Sequence, residues 1–156
     1  MSKIWIKEVS HYLPNNVLTN QDLIETYKIR MKSFVIEKML GIKQRCWANE
    51  NQAASDLAVE AAKKLDLENF EGGIFLSTIS GDYPTPSTSS LIKSKLNLAG
   101  VAPAIDINNA CAGMIFALEL AMQRLQITEE TQALVISSEV RSRFINKSDR
   151  RTAFLF

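Results

Sequence analysis

Few side chains in this chain can form and break covalent bonds at neutral pH: the thiols of Cys46 and Cys111 and the imidazole of His11. The two cysteines stand far apart, form no Cys-x-x-Cys pair, and make no zinc-ligand spacing with His11. Each is therefore weighed alone. Cys111 lies in Asp106-Ile107-Asn108-Asn109-Ala110-Cys111-Ala112-Gly113-Met114, where a strand-like apolar run meets a helix-like one through small residues. A tight turn allowed by Ala110, Ala112 and Gly113 would push the Cys111 side chain out at a strand end. It would also set the thiol at a helix N-terminus, where open backbone N–H groups and the helix dipole favour a thiolate. A thiolate takes an acyl group from a thioester, and nearby N–H groups can hold the oxyanion formed on the way. Free cysteine is also a common buried packing residue, so spacing alone leaves the two roles for Cys111 evenly weighed. Cys46, beside Trp47 with no elbow after it, reads as buried packing. His11 ends the first apolar run and reads as a surface or hydrogen-bonded strand residue.

The elements that must position Cys111 follow from periodicity. Ile4 to Tyr12 reads as a first strand, turned out by Pro14-Asn15-Asn16. Thr19 is placed to cap a helix carrying Leu23, Ile24 and Tyr27, and Ser33 to cap another through Met39, closed by Gly41. Ile42 to Trp47 reads as a further strand. Small and apolar residues at three- and four-residue spacing predict an amphipathic helix over Gln52 to Leu65. The continuous apolar run Ile74 to Ile79 predicts a strand buried on both faces. Pro86 is placed to open a helix through Leu91 and Leu96, and Ala104 to Ile107 is again strand-like.

From Cys111 to Gln126 the pattern is a helix apolar almost all round, its polar Glu119, Gln123 and Gln126 confined to one narrow face. Such a helix is expected in a protein interior. Ala133 to Ser138 reads as another buried strand, and Thr152 to Phe156 as the start of one more. Repeated strand-helix-strand units predict an α/β fold, a mostly parallel sheet with helices on both faces. The chain stops within the apolar run Ala-Phe-Leu-Phe, so continuation into further structure is expected.

Bulk properties narrow the function classes. The chain has 156 residues, 46% apolar and 22% charged, with a formal net charge of +1. That is an ordinary globular composition with no basic surplus for nucleic acid or a membrane surface. No apolar run approaches the roughly 18–20 residues of a spanning helix, and the N-terminus carries charges where a signal peptide needs an apolar stretch. A cytoplasmic protein without a disulfide is expected.

The segment Asn108-Asn109-Ala110-Cys111-Ala112-Gly113-Met114-Ile115-Phe116-Ala117-Leu118 resembles the active-site segment of ketoacyl-acyl-carrier-protein synthase III, of the thiolase superfamily. Other parts of the chain resemble that family in order. They are Tyr12-Leu13-Pro14 with Thr19-Asn20-x-Asp22-Leu23, Gly41-Ile42-Lys43-Gln44-Arg45, Pro86-Ser87, Ser138-Glu139-Val140, and Ser148-Asp149-Arg150-x-Thr152. The resemblance implies a thiolase-like α/β fold in which residues 1–156 are the N-terminal half of a condensing enzyme. It implies that Cys111 is acylated from acyl-coenzyme A or acyl carrier protein, and that a carbanion from decarboxylated malonyl carrier protein attacks the acyl-enzyme. It also implies a homodimer and no permanently bound cofactor. The family's His, Asn and one oxyanion glycine belong to the second half and are absent from this chain.

The departures from that resemblance matter too. The family's coenzyme A-binding Trp and Arg fall on Val35 and Met39, with Phe34 a shifted aromatic, while Arg150 matches an Arg that stacks on adenine. For Arg150 a coenzyme A contact and a solvated charge beside Asp149 weigh equally. Thr85 falls where many members place a Phe of the acyl pocket, which would admit a longer or branched acyl chain. The cluster Arg141, Arg143, Lys147, Arg150 and Arg151 fits either an acidic carrier protein or a solvated loop. A non-catalytic assembly subunit and a related synthase of non-fatty-acid products are the alternative functions.

Overall fold

The computed structural model describes residues 3–98, 100 and 102–155. The chain divides into two compact units, one made of the segment ending at Tyr12 with Gln52–Glu139, the other of Leu13–Asn51 with the segment from Val140 onward.

The first unit is built on a parallel sheet of order β4-β3-β5, with β3 at Gly73–Ser77, β4 at Ala104–Ile107 and β5 at Ala133–Ser137. All five residues of β3 are buried, as its unbroken apolar run predicts for a central strand. Alternation then divides its side chains. Ile74 and Leu76 pack with Ala58, Val59, Ala62 and Ile92 of helices α3 (Ala54–Ala62) and α4 (Thr88–Lys95). Phe75 points the other way, onto Ala117 and Ala121 of α5 (Gly113–Ile127). The chain steps from β3 to β4 on one side, then crosses back to β5 on the other. Right-handed crossovers therefore require α4 and α5 to lie on opposite faces, as they do.

The second unit holds a short antiparallel pair, β1 (Val17–Thr19) and β2 (Gln44–Cys46), with helices α1 (Asn20–Tyr27) and α2 (Ser33–Leu40). Thr19 caps α1 as expected, in a capping box. Its backbone N–H donates to Asp22 at 2.7 Å and its Oγ1 accepts the Asp22 N–H at 3.1 Å. Gly41, with φ 71°, closes α2 in the left-handed conformation. Leu23, Ile29, Ile36, Ala153 and Phe154 form the core here. Arg45 crosses it, donating from Nη2 to Asn20 Oδ1 at 3.0 Å, and burial lowers its pKa.

Several expectations need correction. Ile4 to Tyr12 is not a strand: it makes no backbone ladder among the described residues, and Trp5 is 78% exposed. It is tied instead by side chains, Ser10 Oγ to the Ala61 carbonyl at 2.8 Å and the Asp66 N–H to Glu8 at 2.9 Å. Ser33 is the first residue of α2 rather than its cap, which is Lys32. Pro86 does not open α4, which begins at Thr88 and is capped by Ser87, its Oγ accepting the Ser90 N–H. Thr152 to Leu155 is a turn, because the Asp149 carbonyl captures the N–H groups of Thr152 and Ala153 at 3.0 and 2.9 Å; Phe156 lies outside the described residues. The apolar run is nonetheless used, with Ala153 and Phe154 buried. Finally, α5 is covered along only the stripe Gly113, Ala117 and Ala121, while Ile115, Phe116, Leu120 and Met122 are exposed. One sheet covers one face of a helix, so its all-round apolar pattern is not enclosed by the described residues.

The tail turn is also fastened by charge. Arg151 donates from its guanidinium and its backbone N–H to the Asp149 carboxylate, holding that group down at about 2 from its ordinary 3.8. A depressed carboxylate contributes stability above its unfolded pKa and loses it as pH falls through the folded one. Resistance to urea is expected to fall between pH 3.8 and about 2 in the parent chain, and that fall should be smaller in Asp149→Asn.

Candidate active site

In a parallel sheet the crevice for ligands opens at strand C-termini where successive connections leave to opposite faces. Here those connections follow β3 and β4, and Cys111 lies on the second of them. The strand β4 ends at Ile107, residues 108–112 are exposed, and Ala110–Ala112 form a single 3-10 turn before α5. Cys111 is an exposed free thiol at the centre of that turn. The helix was expected to begin at Cys111 itself; it begins at Gly113, so the thiol is carried by the turn that leads in. That turn engages the Ala112 N–H with the Asn109 carbonyl at 3.2 Å and the Gly113 N–H with the Ala110 carbonyl.

Two backbone features shape the elbow. Ala110 has φ 43°, a left-handed conformation uncommon for a residue with a β-carbon. Gly113 is there for lack of space: a Cβ at this position would sit 2.2 Å from Ser77 Oγ at the end of β3. A side chain at 113 would require the Ser77 hydroxyl to turn away, and Ser77 Cβ, 3.2 Å from the added carbon, to yield by a few tenths of an ångström.

Carboxylates hold the surrounding loops. Asp106 on β4 accepts the N–H groups of Thr88 and Ser89, the first two of α4, at 2.7 and 2.8 Å. Glu139, after β5, accepts the Ile79 N–H at 2.8 Å and the Ser80 hydroxyl. Asp82 accepts the Ser55 N–H at 3.0 Å and its hydroxyl at 2.5 Å, at the start of α3. The loop from Thr78 to Ser87 is therefore fastened at both ends, and Tyr83 and Thr85 are exposed at its tip. Sequence reasoning missed these roles for Asp106, Asp82 and Glu139. The available signal was an acidic residue at or just past a strand end, next to a segment of Ser and Thr.

The other candidates fall in the second unit or at the surface. Met39 and Arg150 are brought together there, in a groove of about 320 Å³ also lined by Met31, Leu40, Phe154 and Leu155. Phe34 and Val35 do not line it. Arg150 is exposed, and Asp149 is paired mainly with Arg151, Arg150 adding a smaller attraction through charge alone. Of the basic cluster, Arg143 donates to the Glu50 carbonyl at 2.9 Å, and Lys147 lies over Tyr27 and Trp47, 5.9 and 5.4 Å from the ring centroids. His11 is exposed, and its carbonyl accepts from Lys64 at 2.8 Å. Cys46 is not buried packing: it is exposed, because it sits on the outward face of the two-stranded β1-β2 pair.

Residues 105–156, from β4 through the elbow onward, match the family model of 3-oxoacyl-[acyl-carrier-protein (ACP)] synthase III. Over 97% of its length the chain is 36% identical to the beta-ketoacyl-[acyl-carrier-protein] synthase III of Neisseria meningitidis serogroup C, covering 48% of that protein. The chain is similar to the N-terminal half of proteins named beta-ketoacyl-[acyl-carrier-protein] synthase III. Its fold is accordingly thiolase-like. The crystal structure of the Thermus thermophilus synthase III superposes with a TM-score of 0.85 at 30% identity, over 95% of this chain and 46% of that one. The Aquifex aeolicus synthase III gives 0.81 at 34% identity, over 95% and 49%. The chain thus spans about half the length of the relatives it matches.

The fit at Gly113 gives a direct test of the elbow. Gly113→Ala should destabilise the chain by about 1–3 kcal/mol, the usual range for overpacking, read as a lower urea midpoint. Adding Ser77→Ala, which removes the hydroxyl in the way, should recover most of that loss.

Proposed function

We propose that this chain is the acyl-accepting half of a 3-oxoacyl-[acyl-carrier-protein] synthase III-like condensing enzyme, with Cys111 as its nucleophile. The observation that carries the reading is an exposed thiol on a turn between the end of β4 and the start of α5, at the crevice of a parallel sheet. The Cys111 sulfur attacks the carbonyl of an acyl thioester. The tetrahedral oxyanion collapses, the donor's C–S bond breaks, and the donor leaves as a thiol with the proton from Cys111. The N–H groups of Ala112 and Gly113 are engaged within the turn. An oxyanion would therefore use the Cys111 N–H or donors from the second half. In the full reaction malonyl carrier protein loses carbon dioxide and its carbanion attacks the acyl-Cys111 carbonyl, giving the 3-oxoacyl product and freeing the thiol. The groups that stabilise this carbanion belong to the second half of the family's fold.

Acyl carrier protein and a homodimeric assembly with the second half belong to this reading, as does a cytoplasmic location. The groove at Met39 and Arg150 bears on the donor. With Val35 and Met39 where the family has Trp and Arg, the aromatic face and one cation for coenzyme A are absent, and Arg150 remains beside an Arg151 already paired with Asp149. A carrier-protein-bound donor is favoured, since a charge-assisted phosphate contact contributes about 1.5–3 kcal/mol. An assembly role has its own support in the exposed Ile115, Phe116 and Met122 of α5.

Intact-mass analysis with peptide mapping after exposure to acyl-coenzyme A and acyl carrier protein separates these readings. An acyl adduct on Cys111, absent in Cys111→Ala and absent from Cys46, is expected. No adduct with any donor would leave the assembly role standing instead. Supplied with malonyl carrier protein, the chain by itself is expected to release no 3-oxoacyl product, and measurable product would overturn the division of labour between the halves.

A further inference from the structure

The elbow holds a strained residue that its own small side chains do not account for. Ala110 occupies the left-handed region at φ 43°, which a residue with a β-carbon keeps only where its surroundings enforce it. On the C-terminal side the constraint is Gly113 lodged against Ser77. On the N-terminal side the Ile107 carbonyl accepts the Thr78 N–H at 3.2 Å, the last tie of β4 to the central strand. One residue earlier, Asp106 grips the first two amides of α4 at 2.7 and 2.8 Å. That helix start is itself immobilised. Thr88 is fully buried, and its Oγ1 accepts the Asp82 N–H at 3.0 Å.

We propose that Asp106 is a positioning residue for Cys111. By fastening the end of β4 to α4 it keeps Ala110 in its left-handed turn, and so fixes the direction in which the thiol is presented. A carboxylate bridging two amides at the positive end of a helix suits this task, because both bonds are charge-assisted and resist rotation of the strand end. Asp106 touches no substrate and acts only through the elbow. The inference rests on Cys111 as the nucleophile, but its test uses alkylation, which requires no acyl donor; failed acylation and failed positioning are therefore separate results.

Asp106→Asn keeps the size of the side chain but offers an acceptor to one amide and an N–H to the other. Carbamidomethylation of Cys111 by iodoacetamide is followed in the full chain, with the exposed Cys46 as internal reference. The Cys111-to-Cys46 rate ratio is expected to fall about tenfold, the scale of one strained residue. Adding Ala110→Gly should restore it, because glycine adopts positive φ freely and no longer needs the clamp. Thr88→Pro removes one of the two amides from the opposite side together with the hydroxyl that accepts the Asp82 N–H, so its ratio is compared with that of a Thr88→Val reference, which lacks only the hydroxyl. Ser87 already has ψ 144°, as a residue before proline requires, and proline suits the first helical position. It should lower the ratio in the same direction, and it carries the comparison where Asp106→Asn does not fold. A ratio unchanged in these variants overturns the proposal. So does a fall that Ala110→Gly does not restore, since that would mark Asp106 as a support of α4 alone.

Discussion

The first turn of α5 runs so close to the end of the central strand that a single carbon at position 113 would overlap the Ser77 hydroxyl. That approach lets the small-residue stripe Gly113, Ala117 and Ala121 rest on the sheet, with Phe75 packed among them. The axis of α5 therefore depends on it, and so does the place where the connection from β4 must turn. Cys111 is two residues before the point of closest approach. It has little freedom to be elsewhere, and its exposure follows from the same geometry. A strand ending beneath a helix start leaves the connecting residues outside both.

The polar groups nearby are arranged as fasteners. Asp106, Asp82 and Glu139 each accept two donors, and each joins a loop or strand end to the N-terminal amides or hydroxyls of another segment. Carboxylates do this better than neutral acceptors because helix starts and turns present several N–H groups in one direction. The loop after β3 is consequently pinned at its base and projects only its tip, where Tyr83, Pro84, Thr85 and Pro86 are exposed. Side-chain choices at that tip, including Thr85, are free of the burden of holding the fold together.

The second unit shows a different economy. Its core of Leu23, Ile29, Ile36 and Phe154 is small, and the neighbouring groove is lined largely by methionine, leucine and phenylalanine. Methionine fills irregular space and adapts to varied occupants. Met31 and Met39 thus give the groove an adaptable apolar surface. Arg150 and Arg151 are its exposed charges, the second of them paired with Asp149.

Much of the fold could be read from the residues. The unbroken apolar run of β3, the boundaries of β4, the Thr19 cap, the Gly41 closure and the small-residue junction at Cys111 are local patterns with local causes. What failed failed for non-local reasons. Ile4 to Tyr12 has strand composition but no partner ladder among the described residues. Thr152 to Leu155 has a strand's apolarity, but its amides are taken by a carbonyl three and four residues earlier. Cys46 was assigned to packing by its type, whereas exposure is decided by what covers the β1-β2 pair. The sequence by itself determined that a cysteine stands between a strand and an apolar helix, because periodicity and small residues are properties of neighbours along the chain. Only the tertiary structure decided that Gly113 lies close against Ser77, that Asp106 reaches α4 and that Met39 and Arg150 line one groove. Those facts depend on segments distant in sequence arriving within a few ångströms of one another.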